Sequence, residues 1–280
     1  MKLPKLPKLV FPVLAATLLP SSSLMATTLI MNNFDGDDSN DLGGALVPVS
    51  NGLEDVDNSD LSTGLISFQD DGNSNPAVGF TSSIAADFSS FSGFTVEWVV
   101  ASGLNTADIR SNGWFFGVQD AIGSADTGST LWNNDPDAIG VTLLRGGAAT
   151  GTTNADFAES LGANGAGENF TSVGSLTNAV VEDGFTISFT LNSDETWSVS
   201  SIGLDSGSGE LSGSGTLDSG SYAGLADNLF ASSVFQINSN PAGVVSGGQF
   251  TSVTVTGIPE PSSVALLSLA ALAGFARRRR

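Results

Sequence analysis

Apolar and polar residues alternate along several segments of the chain, and this period of two sets the strongest limit on the fold. The alternation is clearest in residues 94–100, where four apolar side chains fall on one side of an extended strand and polar ones on the other. The other segments of this kind are 114–119, 139–144, 185–191, 197–200 and 253–255. No window of ten or more residues shows the apolar stripe of an amphipathic helix. The sequence therefore predicts an all-β fold.

The predicted strands are apolar on one face only, which is typical of antiparallel sheets that pack over a shared core. Clusters of Gly, Ser, Asn and Asp separate the strands and supply turns. Asn192-Ser193-Asp194-Glu195 lies between two such strands and predicts a hairpin. The Gly- and Ser-rich stretch 207–215 is expected to form loop and edge strand. We therefore expect one antiparallel β-sandwich over residues 27–257.

The order of the predicted strands resembles the jelly rolls of concanavalin A-like lectins and glucanases and of laminin G-like domains. The resemblance runs from Phe34-Asp35-Gly36 through the strands at 94–100, 114–119 and 139–144 and the hairpin at 185–200 to a last strand at 250–255. It implies two packed antiparallel sheets. We expect Trp98, Trp114 and Trp197 to lie in the core, because each alternates with its neighbours along a predicted strand. An immunoglobulin-like sandwich and a β-helix are the alternatives.

The composition excludes several classes of chemistry. The chain has no Cys and no His among 280 residues, which rules out disulfides, zinc sites built on these residues, Cys nucleophiles and Ser-His-Asp triads. It carries 29 acidic and 9 basic residues, and only Arg110 and Arg145 lie between the lysines at the start and the arginines at the end. Because such a body cannot neutralise phosphates, we expect no binding to nucleic acid. Its acidity is typical of solubility outside the cell.

Residues 1–26 have the pattern of a secretory signal peptide. Three lysines lead, the apolar run 9–19 follows, and Pro and Ser residues come next. As a helix this run reaches about 16 Å, which is short of the ~30 Å hydrocarbon core of a bilayer. We therefore expect cleavage rather than a permanent anchor. The predicted cleavage position follows Ala26, with a position near Ser23 as the alternative.

Residues 258–280 combine three features in a fixed order. The motif Pro259-Glu260-Pro261 comes first, and a run of small apolar residues, 262–276, follows it. Four arginines close the chain, namely Arg277, Arg278, Arg279 and Arg280. The prolines keep the motif extended and accessible before the apolar segment, which we expect to be a short hydrophobic helix. Such a helix can enter a bilayer transiently, and the arginines should hold its far end on the cytoplasmic side.

This order resembles the PEP-CTERM sorting signal of Gram-negative bacteria. The resemblance implies cutting near the motif by an exosortase, an integral-membrane transpeptidase similar to Cys proteases, and a link to exopolysaccharide and biofilm-matrix systems. It also implies an exported protein that is held transiently at the inner membrane and then reaches the cell surface or the extracellular matrix. We expect three segments: a signal peptide at 1–26, the sandwich at 27–257 and the sorting signal at 258–280.

A pair of carboxylates is the main enzyme chemistry that the composition leaves open. Glycoside hydrolysis needs one carboxyl group as acid and a second as base or nucleophile. The glucanases of the jelly-roll class carry Glu-x-Asp-x-Glu or a close variant on one strand, and no such triplet occurs here. Glu97 is alone on the polar side of its strand, and Glu195 lies in the predicted hairpin turn. We therefore expect no enzyme activity; a carboxylate-dependent polysaccharide hydrolase or lyase is the alternative.

The stretch Trp132-Asn133-Asn134-Asp135-Pro136-Asp137-Ala138-Ile139-Gly140-Val141 is similar to the metal loop of legume lectins, in which an Asn and an Asp-Pro precede an Ile-Gly-Ile strand. The histidine of that loop is absent, and Gln119-Asp120 replaces its upstream Glu-x-Asp, so we expect no transition-metal site. We predict that the oxygen-bearing side chains of Asn133, Asp135 and Asp137 bind calcium and that Trp132 stacks on a sugar ring. The alternative is that Trp132 packs over the mouth of the sandwich above an ordinary acidic turn.

Together these patterns predict an exported, non-enzymatic protein of the cell surface or matrix that binds carbohydrate through a β-sandwich. The ligand class depends on analogy with the fold and on Trp132. A purely structural matrix component without a defined ligand is the third alternative.

Overall fold

The computed structural model describes residues 26–34, 46–50, 54–55, 64–70, 77–101, 113–120, 138–145, 152–160, 168–205, 209–218, 222–236 and 244–260. They belong to one compact unit, Ala26–Glu260. Strands β1 to β15 are, in chain order, Thr27–Asn32, Leu46–Ser50, Glu54–Asp55, Leu65–Asp70, Ala77–Ser82, Phe91–Ala101, Gly113–Gln119, Ala138–Arg145, Thr152–Ser160, Glu168–Thr177, Gly184–Asn192, Thr196–Gly203, Gly209–Thr216, Phe230–Gln236 and Val244–Pro259. Helices α1 and α2 are Asn178–Asp183 and Tyr222–Leu225.

The strands form two antiparallel sheets, as the alternating pattern predicted. The eight-stranded sheet has the order β13-β12-β11-β6-β15-β4-β3, and β1 also pairs with β15. The seven-stranded sheet has the order β10-β9-β8-β7-β14-β5-β2. The Gly- and Ser-rich strand β13 lies at the edge of its sheet, where Gly213 and Gly215 leave room for the side chains of Val173 and Trp197.

The core lies between the sheets and is built largely from aromatic rings. Trp98, Trp114 and Trp197 are buried, which confirms their predicted place in the core. The ring of Trp197 stacks on Phe157 with centroids 4.0 Å apart. The ring centroids of Trp114 and Phe116 are 4.4 Å apart. Aromatic pairs at these separations stabilise a fold beyond their buried area, by about 0.5–1.5 kcal/mol each.

The central strands of the seven-stranded sheet are buried on both faces, which one-sided alternation did not predict. On its outer face the side chains of Phe115, Ala138 and Ala158 form a small apolar cluster of their own. The Phe115 ring lies over the backbone of Gly117 and Gly140. It lies so close that a Cβ on either glycine would overlap the ring. Glycine is therefore required at these two strand positions to seat the ring.

The two helices are too short to carry an amphipathic stripe. In α1 the hydroxyl of Thr177 accepts a hydrogen bond from Val180 N at 3.3 Å and so caps the first turn. Val181 is the buried side chain of this helix. In the part of the chain that the structure describes, no helix has the length and hydrophobicity to span a membrane.

The start of β1 and the end of β15 lie together. Thr27 is the register partner of Gly257, and Pro259 is the register partner of Phe91 in β6. Strand β15 thus continues two residues past the predicted end of the sandwich at 257 and includes the first proline of the sorting motif. We call this the motif end of the sandwich.

The end of β7 and the start of β8 lie at the same end of the sandwich. A backbone hydrogen bond from Phe88 N to Ala226 O joins the segment before β6 to the segment before β14. Phe230, the first residue of β14, is the register partner of Gln119, and Gln119 is the register partner of Ala138. Strand β7 therefore ends, and β8 begins, at the motif end.

Candidate functional site

The predicted calcium and sugar residues, Trp132, Asn133, Asp135 and Asp137, lie outside the described residues. The structure does fix the two ends of the stretch that contains them. Strands β7 and β8 are hydrogen-bonded neighbours, so Asp120 and Ala138 bring the stretch back to adjacent strands of one sheet. Both described ends of the stretch therefore lie side by side at the motif end.

Buried polar side chains line the outer face of the seven-stranded sheet next to this loop. Gln119 is 6% exposed, and its side-chain oxygen has no hydrogen-bond partner. The hydroxyls of Thr81 and Ser232, which are register partners on β5 and β14, are also buried and unpartnered. Ser232 pairs with Gly117, two residues from Gln119 on β7, so all three side chains share one face. An unpartnered buried oxygen is costly, and these three oxygens can exchange hydrogen bonds with a ligand or bind a cation.

The pattern of alternation does not reveal this polar group. A polar residue on the outer side of a strand is normally expected to face solvent, as Glu97 does on the other sheet. The available signal is the pair Ser232-Ser233 within the apolar strand β14. The inward member, Ser233, accepts a hydrogen bond from Trp114 Nε1 at 2.9 Å and donates one to Phe115 O at 2.8 Å.

Glu159 is a second residue that the sequence analysis missed. It is 2% exposed, the lowest value of any carboxylate whose side chain is described. Its two carboxylate oxygens accept hydrogen bonds from Asp218 N at 3.0 and 3.2 Å. This contact ties the segment after β13 to β9 at the motif end, so the geometry gives Glu159 a structural role.

Among the residues that are described, no group of three or more carboxylates could hold a metal ion. Asp156, on the outer face of the seven-stranded sheet, has a pKa raised by burial. Its backbone carbonyl accepts a hydrogen bond from the Thr142 hydroxyl at 3.3 Å.

The outer face of the eight-stranded sheet carries a continuous row of hydroxyl side chains. The row crosses six strands in register and consists of Thr28, Thr256, Thr95, Thr190, Ser198 and Ser214. The Thr95 and Thr190 hydroxyl oxygens are 2.8 Å apart. The adjacent row contains Thr254, Glu97, Ser188, Ser200 and Ser212. Within these two rows Glu97 is the one charged side chain, although the chain has 29 acidic residues.

The sorting motif begins inside the sheet. Pro259 is half-buried at the end of β15, and Glu260 is exposed directly after it. The Ser92 hydroxyl lies 3.1 Å from both Ile258 O and Pro259 O and is the donor to each. Pro261 and Arg277, Arg278, Arg279 and Arg280 lie outside the described residues.

Comparison with known families decides what this segment is. Residues 257–280 match the family described as the PEP-CTERM protein-sorting motif. The chain carries a PEP-CTERM motif. The motif indicates an exported protein that is sorted to the cell envelope. No curated protein sequence matches the chain.

The body of this PEP-CTERM protein is similar to solved lectin-like structures. The lectin UEA-II complexed with galactose has 11% identity, covers 82% of this chain and 99% of its own, and gives a TM-score of 0.52. The exoplasmic/lumenal domain of VIP36 in its Ca2+/Man2-bound form has 8% identity. The match covers 85% of this chain and 90% of the VIP36 chain, with a TM-score of 0.50. Arcelin-5, a lectin-like defense protein from Phaseolus vulgaris, has 10% identity. The match covers 82% of this chain and 98% of the arcelin-5 chain, with a TM-score of 0.48. The similarity to UEA-II and to VIP36 establishes the lectin-like sandwich fold and nothing beyond the fold.

Proposed function

We propose that this PEP-CTERM protein is a non-enzymatic, carbohydrate-binding β-sandwich of the cell surface or extracellular matrix. The observation that carries the proposal is the lectin-like pair of sheets, in which the end of β7 and the start of β8 are hydrogen-bonded neighbours at the motif end. Two similar structures, UEA-II with galactose and VIP36 with Ca2+ and Man2, hold sugar, which supports the choice of ligand class. A role in exopolysaccharide association follows from the same proposal.

Calcium would be held by Asn133, Asp135 and Asp137, and Trp132 would stack on the sugar. The described part of the site fits a hard cation, because the unpartnered side-chain oxygen of Gln119 lies at the start of the loop and is a donor of the kind that calcium takes.

The first test compares calcium with magnesium in thermal unfolding of the purified chain. A ligand that binds only the folded state stabilises it by about 2.7 kcal/mol at a hundredfold excess over Kd. Magnesium is the control, because it requires tight octahedral geometry and keeps its waters. We expect a larger stabilisation with calcium, lost in Asp135→Ala and retained in Asp227→Ala, an exposed acidic residue in a turn. Equal responses to both ions in all three proteins would remove calcium from the proposal.

The second test measures retention on a panel of polysaccharides. We expect Trp132→Ala to reduce retention by roughly 2- to 10-fold, since stacking on an aromatic ring contributes about 0.5–1.5 kcal/mol. Phe170→Ala is the matched control, because Phe170 is a 46% exposed aromatic residue on another strand. Release of soluble sugar from the same panel would favour a hydrolase or lyase, and no retention would favour a purely structural matrix component.

The sorting part of the proposal is that an exosortase-type enzyme removes the tail after transient insertion of residues 262–276 into the inner membrane. Mass spectrometry of the mature protein from its native host should find neither residues 1–21 nor Arg277 to Arg280. Intact arginines on the surface form would contradict processing.

A further inference from the structure

The sorting motif has no linker between it and the fold. Strand β15 is hydrogen-bonded to β6 from Gln249 to Pro259, and β1 covers its other side up to Gly257. A segment paired in this way cannot enter the cleft of a processing enzyme as an extended substrate until it detaches from its neighbours. The fold therefore limits which peptide bonds near the motif are accessible.

Ser92 fixes the last two residues of the strand. Its hydroxyl reaches Ile258 O and Pro259 O, both at 3.1 Å. Pro259 has no backbone N–H, and the ladder is irregular between Ile258 and Pro259, so the Ser92 side chain compensates for weakened pairing there. The Ser92 carbonyl in turn accepts a hydrogen bond from Ser193 N at 2.8 Å. The residue that holds the motif is thus itself held by the β11–β12 hairpin.

The support beneath the motif is a packed aromatic corner. The Phe91 ring lies against Gly257, so close that a Cβ on that glycine would overlap the ring. Phe91 also contacts Phe88, with ring centroids 5.7 Å apart. The Tyr222 hydroxyl donates to Phe88 O at 3.0 Å and to Phe91 O at 3.3 Å. The corner leaves little room for Pro259 to move while the body stays folded.

We propose that Ser92 is a positioning residue for sorting, which holds Ile258 and Pro259 in the sheet and so restricts cleavage to the C-terminal side of Pro259. This inference depends on the proposed processing and specifies where on the folded protein it occurs. The mature body keeps its last strand whole, and exposed Glu260 is the first motif residue that the enzyme can take up freely. In the cleavage the peptide C–N bond breaks, the acyl carbon passes to water or to an amine, and the leaving nitrogen takes the proton of that nucleophile.

The first experiment determines the C-terminal residue of the mature protein from the native host by mass spectrometry. We expect one species that ends at Pro259 or later. A mature protein that ends before Pro259 would overturn the inference while leaving the processing intact. Retention of Arg277 to Arg280 would overturn the processing and the inference with it.

The second experiment compares Ser92→Ala with Ser92→Thr, which keeps a hydroxyl, and with Ser89→Ala. Ser89 is exposed in the neighbouring turn, and its hydroxyl donates a hydrogen bond to the Asp87 carboxylate. Ser89→Ala is therefore the matched control, because it also removes a serine hydroxyl. Loss of one to two hydrogen bonds should raise the detached fraction of the strand end by roughly 3- to 10-fold. We expect hydrogen exchange in residues 250–260 of purified Ser92→Ala to accelerate by that factor, with wild-type exchange in Ser92→Thr and Ser89→Ala.

In the host, Ser92→Ala should give a mixture of mature C-termini, including species that end before Pro259, while Ser92→Thr restores the single species. The melting temperature of the body separates positioning from folding, because a merely destabilised variant would lose abundance without gaining new termini. A single wild-type terminus in a folded Ser92→Ala protein would overturn the role of Ser92. If Ser92→Ala does not fold, the wild-type terminus still decides whether Pro259 is protected.

Discussion

Tyr222 shows how one side chain can link the motif end to pH. It is 6% exposed, and its hydroxyl donates to two backbone carbonyls of the turn before β6. Burial, with smaller contributions from the carboxylates of Asp87 and Glu260, raises the pKa of Tyr222 to about 12. Because an ionised phenol can no longer donate these hydrogen bonds, folding favours the neutral form.

This shift predicts a loss of stability in alkali. The folded-state pKa lies above the ordinary value of 10.0, so the contribution of Tyr222 is complete below pH 10 and is lost as the pH rises towards 12. We expect Tyr222→Phe to be less stable at pH 7, by about 1 kcal/mol for the lost hydrogen bonds. Its melting temperature should fall less steeply than that of the wild type between pH 10 and 12. Parallel melting curves over this range would contradict the prediction.

At the scale of elements, the turn of the β11–β12 hairpin is the connection that was predicted most accurately from the sequence. The predicted turn, 192–195, joins β11 to β12, and Glu195 N donates to Asn192 O at 2.9 Å. Asp194 accepts hydrogen bonds from the Thr196 hydroxyl and backbone, which lower its pKa. Glu195 has a φ of 69°, a left-handed conformation that a residue with a Cβ adopts at a cost.

Glu195→Gly should therefore stabilise the protein, by roughly 0.5–1 kcal/mol after the extra entropy of glycine in the unfolded chain is deducted. Glu195→Ala removes the same charge and keeps the strained φ, so it should give no such gain. Thermal or urea unfolding of the two variants measures the difference. Equal stabilities would mean that the turn relaxes without glycine.

The strands could be predicted from sequence to the extent that only one of their faces is apolar. Residues 94–100 and 185–191 alternate cleanly, and both form central strands of the eight-stranded sheet. Periodicity does not show that β6 pairs with β15 across more than a hundred residues, since many registers satisfy the same alternation. It also gives no sign that Gln119 and Ser232 are buried, because outward polar residues normally meet solvent. The sorting motif, by contrast, is defined by consecutive residues, so it can be identified from the sequence alone.

At the scale of the whole molecule, charge is the dominant feature. The chain has a net charge of −20, and its basic residues are concentrated at the two ends. Most of the carboxylates whose side chains are described are exposed, Glu97, Asp205 and Asp227 among them. Like charges spread over one body repel one another and weaken the compact state.

Added salt should therefore stabilise the body at neutral pH. The Debye length falls from about 30 Å at 0.01 M to about 8 Å at 0.15 M ionic strength, so NaCl over this range screens most of the repulsion. We expect the melting temperature to rise over this range. The same titration near pH 4, where about half of the carboxyl groups are protonated, is the control and should give a smaller rise. A melting temperature that does not respond at neutral pH would show that the charges are too dispersed to matter.

The pairing of Thr27 with Gly257 has a consequence for protein engineering. The first and last strands of the body are hydrogen-bonded neighbours, so the two ends of the body lie close together. A few flexible residues would join Pro259 to Thr27 and close the body into a ring, which could be reopened at the exposed Ser193-Asp194 turn. Such a circular permutant would keep every strand while moving both new termini, and any cargo fused to them, onto the β11–β12 hairpin.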